Sequence, residues 1–278
     1  MDFTEDHRIG KEILSGVADQ YRKLRNTFRY LLGALDGFDK DAETVEVADM
    51  PELERYILHL LADMDAKLRV AVNDFDFNSY TRLLSDFANN DLSAFFFDIR
   101  KDALYCDVGP ALPQGSDKRR AYRTVLDTLF HALVRYAAPV LVFTAEEVWG
   151  ARYPDAGSVH LLEWPEVDAG WSNSILGQEW DGLRISRLRV SAEIEPLRRD
   201  KIIGSSLEAS INGPWPVGLP GSVERLEELF ISSSYEWHDS ASIAVTKTTH
   251  HKCGRCWRHL PEVSEDGALC GRCEKVVG

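Results

Sequence analysis

The stretch Val17-Ala18-Asp19-Gln20-Tyr21-Arg22-Lys23-Leu24-Arg25-Asn26-Thr27-Phe28-Arg29-Tyr30-Leu31-Leu32-Gly33-Ala34-Leu35 places an apolar side chain at every third or fourth position. This spacing predicts an amphipathic helix, because residues three or four apart lie on one face. The predicted core face carries Val17, Tyr21, Leu24, Phe28, Leu31 and Leu35. The opposite face carries Arg22, Arg25, Asn26 and Arg29, so one side of the helix is expected to be core and the other cationic.

The same spacing recurs on the C-terminal side of this helix. It predicts further helices over residues 53–72, 80–87 and 117–138, with Pro51 near the start of the first of these. Asn89-Asn90-Asp91 is expected to cap a short run through Phe95 and Ile99. Thr144-Ala145-Glu146-Glu147 is interpreted as a capping box that begins a helix with Val148 and Trp149. Long helices joined by short links predict a mainly α fold, with a helical bundle over residues 1–155.

Beyond residue 155 the pattern changes. Residues 159–165 are predicted to be extended, and residues 174–199 to form a helix that Pro196 kinks or restarts. The segments after Gly204 are short: 207–211, a turn region at 213–221, a brief helix at 224–230, and strand-like pieces at 235–237 and 243–247. Residues 156–248 are therefore predicted to contain a helix and a small mixed α/β unit.

The C-terminus contains the same four residues twice, as Cys253-Gly254-Arg255-Cys256 and Cys270-Gly271-Arg272-Cys273. Each pair can offer two thiolates from one tight turn, and the intervening loop lets both pairs face one tetrahedral ion. Disulfides and a dithiol redox centre are the alternatives. The lack of a secretory leader and of a long apolar run disfavours disulfides, and a Cys-x-x-Cys written twice in a tail of short segments favours structural zinc over a redox centre. We therefore predict a zinc-ribbon-like tail with four cysteine ligands over residues 249–278, with no open coordination position for catalysis.

Composition limits the class of partner. The chain has 278 residues, 44% of them hydrophobic, and a formal charge of −13 from 45 acidic and 32 basic residues. That charge argues against a generic polyanion binder, so nucleic acid must be contacted through local basic faces. The sequence shows no run of 18 apolar residues and no secretory leader, which favours a cytoplasmic protein without a membrane span.

Two further groups of residues are candidates for contact with phosphate or bases. The first opens the helix at 117–138 and comprises Lys118, Arg119, Arg120 and Arg123. The second surrounds the cysteines and comprises Lys252, Arg255, Trp257, Arg258 and Arg272. Each group has a structural alternative: the helix-start cations can be satisfied by Asp117 and solvent, the tail cations can balance the thiolates, and Trp257 can cover the zinc core. Cys106 is expected to be a small buried apolar side chain, and His250, His251 and His259 to be surface residues.

Several of these segments together resemble the C-terminal part of bacterial isoleucyl-tRNA synthetase. The matching stretches are 21–32, 102–107, 138–149, Ile203-Gly204-Ser205-Ser206-Leu207-Glu208-Ala209, and Cys253-Gly254-Arg255-Cys256-Trp257. The stretches 21–32 and 138–149 also fit the anticodon-binding bundle of the valyl, leucyl and methionyl relatives. The Ile-Gly-Ser-Ser-Leu-Glu-Ala segment and the four-cysteine tail narrow the resemblance to the isoleucine enzyme.

The resemblance implies an RNA-binding role. Arg22, Arg25, Asn26, Arg29, Lys118, Arg119, Arg123, Arg255, Trp257 and Arg258 are the residues expected to contact tRNA(Ile). Asn26 and Arg29 resemble the family's base-reading pair, with asparagine offering a donor and an acceptor and arginine a planar fork.

The resemblance also implies what is missing. His-Ile-Gly-His and Lys-Met-Ser-Lys-Ser, the family's catalytic signatures, do not occur in this sequence. We therefore expect a monomeric fragment that holds one structural Zn²⁺, uses no ATP itself and works with upstream catalytic and editing domains. The alternative is a free-standing helical adaptor whose zinc ribbon binds a protein partner; a metallo-hydrolase is disfavoured by the closed zinc site.

Overall fold

The computed structural model describes residues 9–216 and 226–278. These residues form two compact units. The bundle unit comprises the described residues up to Asp98 together with Arg120–Ser172, and the tail unit comprises Ile99–Arg119 and Asn173–Gly278. The predicted domain boundaries near residues 155 and 248 stay a prediction.

The fold is mainly helical, as the apolar spacing predicts. Pro51 lies directly before the first residue of the third helix, where its missing N–H is harmless. Asp76 caps the fourth helix by accepting a hydrogen bond from the Ser79 N–H at 2.9 Å. The helices up to residue 152 are α1 (Lys11–Ala34), α2 (Lys40–Glu43), α3 (Glu52–Asn73), α4 (Phe77–Asp86), α5 (Phe97–Cys106), α6 (Asp117–Ala137) and α7 (Val142–Arg152).

Only the second half of α1 is packed into the bundle. Leu24, Phe28 and Leu31 are buried, as predicted. The prediction is wrong for Val17 and Tyr21, which are 57% and 39% exposed. Every residue from 9 to 23 is exposed, because the described part of the bundle unit covers this face of the helix only from Leu24 onward.

Residues Phe87–Phe96 form a π-helical segment that joins α4 to α5. The predicted break and cap at Asn89-Asn90-Asp91 is therefore wrong, since the chain remains helical from Phe77 to Cys106. The buried side chains of this segment include Phe87, Leu92 and Phe96. Burial of these side chains favours continued helix over the break that the polar run predicts.

The predicted capping box at Thr144 is also wrong. The helix α7 begins at Val142, so Thr144 already lies inside it. Its hydroxyl lies 2.9 Å from the hydroxyl of Tyr21, and the Glu147 carboxylate lies 3.8 Å from Arg25. The residues of the motif thus contact α1 and do not cap their own helix.

The segment predicted to be extended after α7 instead starts with a single 3₁₀ turn, Val159–Leu161. Ser158 caps this turn by accepting from the His160 N–H at 3.2 Å. Farther along, the Trp164 indole N–H donates to Asp65 at 2.7 Å. These side-chain contacts fix the segment against the bundle without a strand.

The centre of the bundle unit is rich in buried tyrosine. The Tyr136 hydroxyl donates to Asp65 at 2.6 Å, and the Tyr80 hydroxyl donates to the Tyr136 carbonyl at 2.8 Å. Burial, together with the neighbouring Asp65 carboxylate, raises the pKa of both phenols well above the ordinary value. Both tyrosines therefore act as neutral hydrogen-bond donors inside the core.

The tail unit contains the longest uninterrupted α-helix among the described residues, α8 (Ser174–Arg199). The helix continues through Pro196, so the predicted restart at that residue is wrong. Pro196 lies in the last turn, and only three residues of the helix follow it. Asn173 begins the helix by accepting from the Leu176 N–H at 3.1 Å.

A small mixed sheet follows α8, as predicted. Its strands are β1 (Ala209–Gly213), β2 (Ser234–Trp237) and β3 (Ala244–Lys247), in the order β2-β1-β3. β1 runs parallel to β2 and antiparallel to β3, and Ile211 is paired with Tyr235 and Val245. The remaining helices are α9 (Leu226–Phe230) and α10 (Gly271–Val277). Parts of the turn region predicted at 213–221 and of the helix predicted at 224–230 lie outside the described residues.

No helix in the described ranges has both the length and the apolar character needed to cross a bilayer.

Candidate metal centre and nucleic-acid interface

The four cysteines of the tail converge on one point, as their spacing predicts. Their sulfur atoms all lie within 4.8 Å of one another, and all four side chains are buried. Cys256 Sγ and Cys270 Sγ are 3.8 Å apart. A tetrahedral zinc ion at about 2.3 Å from each thiolate separates the sulfur atoms by about 3.8 Å, so the arrangement fits this metal.

The electrostatics of the cluster also suit a divalent cation. Burial acts to raise the pKa of Cys253, but backbone N–H groups of Cys256, Arg255 and Cys270 outweigh it and lower this pKa to about 6. Burial and the neighbouring sulfur atoms raise the pKa of Cys256, and similar causes raise that of Cys273 to about 11. Four thiolates this close repel one another, and a bound Zn²⁺ would neutralise part of that charge.

The two glycines of the repeated motif have different surroundings. A Cβ atom added at Gly254 would lie 2.4 Å from the backbone oxygen of Gly267, closer than packing allows. At Gly271 an added Cβ would meet nothing within 4 Å. The first turn is thus pressed against another stretch of backbone, whereas the second, which opens α10, is not.

The arginine of each motif is engaged inside the tail unit. Arg255 donates to the carbonyl oxygens of Cys106 and Val108 at 2.5 and 2.6 Å. Arg272 forms a two-pronged contact with Asp102, at 2.5 and 2.9 Å, and these contacts raise its pKa although burial opposes the shift. Both guanidinium groups therefore anchor the metal centre to the end of α5 and the residues after it.

Two other residues near the cysteines have clear positions. Cys106 is buried, as predicted, and lies beside the cluster; burial raises its pKa to about 12, so it remains a thiol. Arg258 is also buried, and one of its terminal nitrogens has no hydrogen-bond partner among the described residues. The predicted role of Arg258 in RNA binding therefore has no support from its position.

Among the described residues, the grouping that could hold a metal contains the four cysteines and none of His250, His251 and His259. His259 Nδ1 lies 2.8 Å from the His250 carbonyl oxygen, which gives it a structural contact. The expectation that these histidines are not ligands is consistent with this arrangement.

Trp257 projects into solvent directly after the second cysteine. Its side chain is 62% exposed, and its backbone adopts a left-handed φ of 63°, a conformation that bulky residues rarely adopt. It lines a cleft of about 460 Å³. Lys252 Nζ lies 5.2 Å from the centre of the indole ring, so the aromatic surface is accompanied by positive charge. Trp257 therefore does not cover the zinc core, which is the structural alternative to a role in binding.

Sequence reasoning missed part of this cleft. Lys247, at the end of β3, lines it and lies 3.2 Å from Glu208. Ser205 and Thr248 contribute hydroxyl groups to the same lining. The segment around Ser205 and Glu208 could be noticed as a motif, but its proximity to Lys247 depends on the antiparallel pairing of β1 with β3, which the sequence does not specify.

The cationic face of α1 is exposed as predicted. Arg22, Arg25, Asn26 and Arg29 all lie on the solvent side of the helix. Arg22 lies 2.9 Å from Asp19, and Arg25 lies 3.8 Å from Glu147. Both ion pairs are solvent-exposed and therefore weak, so these arginines can exchange their partners for phosphate or base edges.

The basic cluster at the start of α6 is largely engaged within the protein. Arg123 is 3% exposed and donates to the Glu43 carboxylate at 2.6 Å. Lys118 lies 2.8 Å from Glu228, and Arg119 donates to the Leu104 carbonyl at 3.0 Å. Arg123 must be removed from the expected RNA-binding set because its guanidinium is enclosed by its partners, and the other two residues have structural roles that compete with phosphate.

Comparison with known proteins adds two family matches. The family described as "Anticodon-binding domain of tRNA ligase" matches residues 54–212. The family described as "Zinc finger found in FPG and IleRS" matches residues 251–276, the stretch that contains all four cysteines.

The chain is also similar over its length to curated bacterial proteins named isoleucine--tRNA ligase. Identity is 62% with the protein from Zymomonas mobilis, over 100% of this chain and 30% of that protein. Identity is 47% with the Gluconobacter oxydans protein, over 99% of this chain and 29% of that protein. It is 41% with the Ruegeria pomeroyi protein, over 100% of this chain and 30% of that protein. The chain thus spans less than a third of the length of these relatives. These matches do not favour the alternative of a free-standing adaptor.

Proposed function

This chain belongs to the family of anticodon-binding domains of tRNA ligases, and on that premise we propose that it holds the anticodon stem-loop of tRNA(Ile). Aminoacylation with ATP would take place in the part of such a ligase that this chain does not match. The chain would act as a cytoplasmic monomer joined to catalytic and editing domains. Its own contribution is to position the RNA.

The observation that carries this proposal is the exposed α1 face in a chain whose net charge is −13. An acidic protein repels RNA as a whole, so contact depends on a local cationic surface. Asn26 and Arg29 are three residues apart and therefore neighbours on the helix. An amide and a guanidinium side by side can hydrogen-bond the edges of unstacked loop bases.

The cleft beside Trp257 supports a second contact within the tail unit. The exposed indole of Trp257 offers a surface on which an RNA base can stack. Lys247 and Lys252 supply positive charge that can attract the RNA phosphate backbone. Zinc would supply no reaction chemistry, because its four positions are filled by cysteine; it would fold the turn that presents Trp257. Arg255 contributes indirectly, since it ties this turn to the carbonyls after α5.

A titration of the chain with tRNA(Ile) and with a tRNA of different anticodon tests the proposal. We expect affinity for both to fall as salt rises, because bound phosphates release counterions. Asn26→Ala or Arg29→Ala should reduce the ratio of the two affinities by roughly tenfold, as loss of base contacts of about 1–3 kcal/mol implies. Total binding should change less.

Lys67→Ala is the matched control, since Lys67 is exposed on α3 of the same unit. It should leave the ratio unchanged. An interaction that is undetectable, or that is independent of salt and equal for both tRNAs, would contradict the proposal.

A further inference from the structure

The apolar face of α1 extends beyond the part that the bundle covers. Leu24, Phe28 and Leu31 on this face are buried. The helical repeat places the four apolar residues of the preceding turns on the same side. Ile13, Leu14, Val17 and Tyr21 are all exposed. One continuous stripe is therefore core in the second half of α1 and uncovered in the first.

The start of α7 enlarges this surface. The Tyr21 hydroxyl lies 2.9 Å from the hydroxyl of Thr144, which places the beginning of α7 beside the uncovered half of α1. The preceding residue, Phe143, is 86% exposed, and Val142 is exposed as well. We refer to Ile13, Leu14, Val17, Tyr21, Val142 and Phe143 as the α1–α7 apolar face.

Such a surface needs a partner. Three exposed turns of helix are marginally stable in water, because most helical stability in proteins comes from packing of the apolar side. A contiguous exposed apolar patch marks an interaction site. RNA does not suit it, because none of its six side chains is cationic and four of them, Ile13, Leu14, Val17 and Val142, are aliphatic. The chemistry instead suits an apolar protein surface.

We infer that the α1–α7 apolar face packs against the part of an isoleucine--tRNA ligase that lies outside the stretch matched by this chain. The inference rests on the proposed function. It is supported by the lengths of the relatives, since this chain spans only 30% of the Zymomonas mobilis ligase. It is also supported by continuity: a stripe that is already core in one half of a helix extends the same packing in the other half.

Hydrogen exchange in two proteins tests the inference without any substitution. The amides of residues 11–23 should exchange rapidly in this chain, because their side chains are exposed. The aligned amides in the intact Zymomonas mobilis ligase should exchange at least tenfold more slowly. Equal rates in the two proteins would overturn the inference.

Two further exchange measurements would show whether something else covers the α1–α7 apolar face. Protection that rises with the concentration of this chain alone would assign the face to a second copy. Protection of residues 11–17 by added tRNA that persists when Asn26 and Arg29 are both replaced by alanine would assign the face to RNA. Either result overturns the inference, whereas failure of the tRNA titration with the protection difference intact would overturn only the proposed function.

Substitution gives an independent measurement. In the intact Zymomonas mobilis ligase, aspartate at the position aligned with Val17 should raise exchange of the helix at least tenfold, because a buried charge cannot be accommodated there. Aspartate at the position aligned with Phe75 is the control, as Phe75 is exposed in the same unit at the turn between α3 and α4. Identical effects of the two changes would contradict the inference.

Discussion

The arginines of this chain divide by where their guanidinium groups find partners. Arg123 is enclosed with Glu43, and Arg272 grips Asp102. Arg22 and Arg25 form solvent-exposed ion pairs with Asp19 and Glu147. Enclosed pairs hold elements together, whereas exposed pairs contribute little to stability and leave the side chain available to a ligand.

Replacement of Arg123 tests this division. Arg123→Ala should lower the free energy of unfolding by about 3–5 kcal/mol, because it leaves the Glu43 carboxylate buried without its partner. Arg22→Ala should change it by less than about 0.5 kcal/mol. Urea unfolding measures both changes.

The double variant E43A/R123A sharpens the test. It should lose less than the sum of the two single changes, because the cost of an unpaired buried charge is counted twice in that sum. Strict additivity would show that the two side chains do not form the pair described above.

At the level of elements, Glu228 joins residues of three helices, all of them within the tail unit. It lies on α9, 2.5 Å from Arg100 on α5 and 2.8 Å from Lys118 on α6. Burial acts to raise the pKa of Glu228, but the charges of Arg100 and Lys118 outweigh burial and lower it. This carboxylate is therefore more acidic in the folded protein than in the unfolded chain.

A defined pH dependence follows. The pKa of Glu228 in the folded protein is below the unfolded value of about 4.5. The stabilisation by its contacts with Arg100 and Lys118 is therefore present above pH 4.5 and is lost as pH falls through the folded pKa. Glu228→Gln should cost about 1–3 kcal/mol at pH 7 and reduce the loss of stability that occurs as pH falls below 4.5 and through the folded pKa. Thermal unfolding across this range checks it.

The neighbouring residue provides the control for this series. Glu227→Gln removes the same charge one position away and should leave the pH dependence unchanged. Equal effects of the two substitutions would indicate a general effect of net charge instead of the contacts of Glu228.

Elements were predictable where one local pattern decides them. The helices α3, α6 and α8 follow from apolar spacing, because each buries a face over five or more turns. The capping box at Thr144 failed because the Tyr21 hydroxyl, far away in sequence, engages the threonine instead. The π-helical segment was missed because a polar Asn-Asn-Asp run favours a break locally, while packing of Phe87, Leu92 and Phe96 keeps the chain helical.

At the scale of the whole molecule, the metal centre and α5 are mechanically joined. Arg255 and Arg272 connect the cysteine turns to residues 102–108. Residues 249–278 are therefore attached to the rest of the tail unit by side-chain contacts as well as by the main chain. Unfolding of residues 249–278 should therefore disturb residues 102–108, more than a hundred positions earlier in the sequence. The predicted boundary near residue 248 gives no indication of this connection.

Zinc removal tests this connection. A strong chelator should unfold residues 251–276 and also increase hydrogen exchange at 102–108, while the helices of the bundle unit remain folded. Circular dichroism should record only a small loss of helix. Loss of the entire helical signal in one cooperative step would contradict the separation into two units.

Cysteine variants provide the matched control for the metal. Cys273→Ser should lose the bound ion, whereas Cys106→Ser should retain one Zn²⁺ per chain, because Cys106 is buried beside the cluster without belonging to it. Elemental analysis of the purified proteins measures both. Loss of zinc from the Cys106 variant would add this residue to the ligand set.

How much of the site the sequence reveals depends on whether its chemistry is local. The four ligands were predictable because Cys-x-x-Cys fixes two of them within a single turn. The exposure of Asn26 and Arg29 was predictable from helical periodicity. The burial of Arg123 was not, since Glu43 belongs to a different element, and neither was the cleft at Trp257, which depends on how β3 pairs.

The crowding at Gly254 has a consequence for variation at the two Cys-Gly-Arg-Cys copies. The two glycines are therefore not equivalent in structure, although the two motifs have the same sequence. In a saturation library screened for folded protein, alanine should be rejected at Gly254, where its methyl group collides with the Gly267 backbone, and accepted at Gly271. Among natural relatives, Gly271 should likewise be replaced more often than Gly254, so the second copy of the motif should be lost before the first.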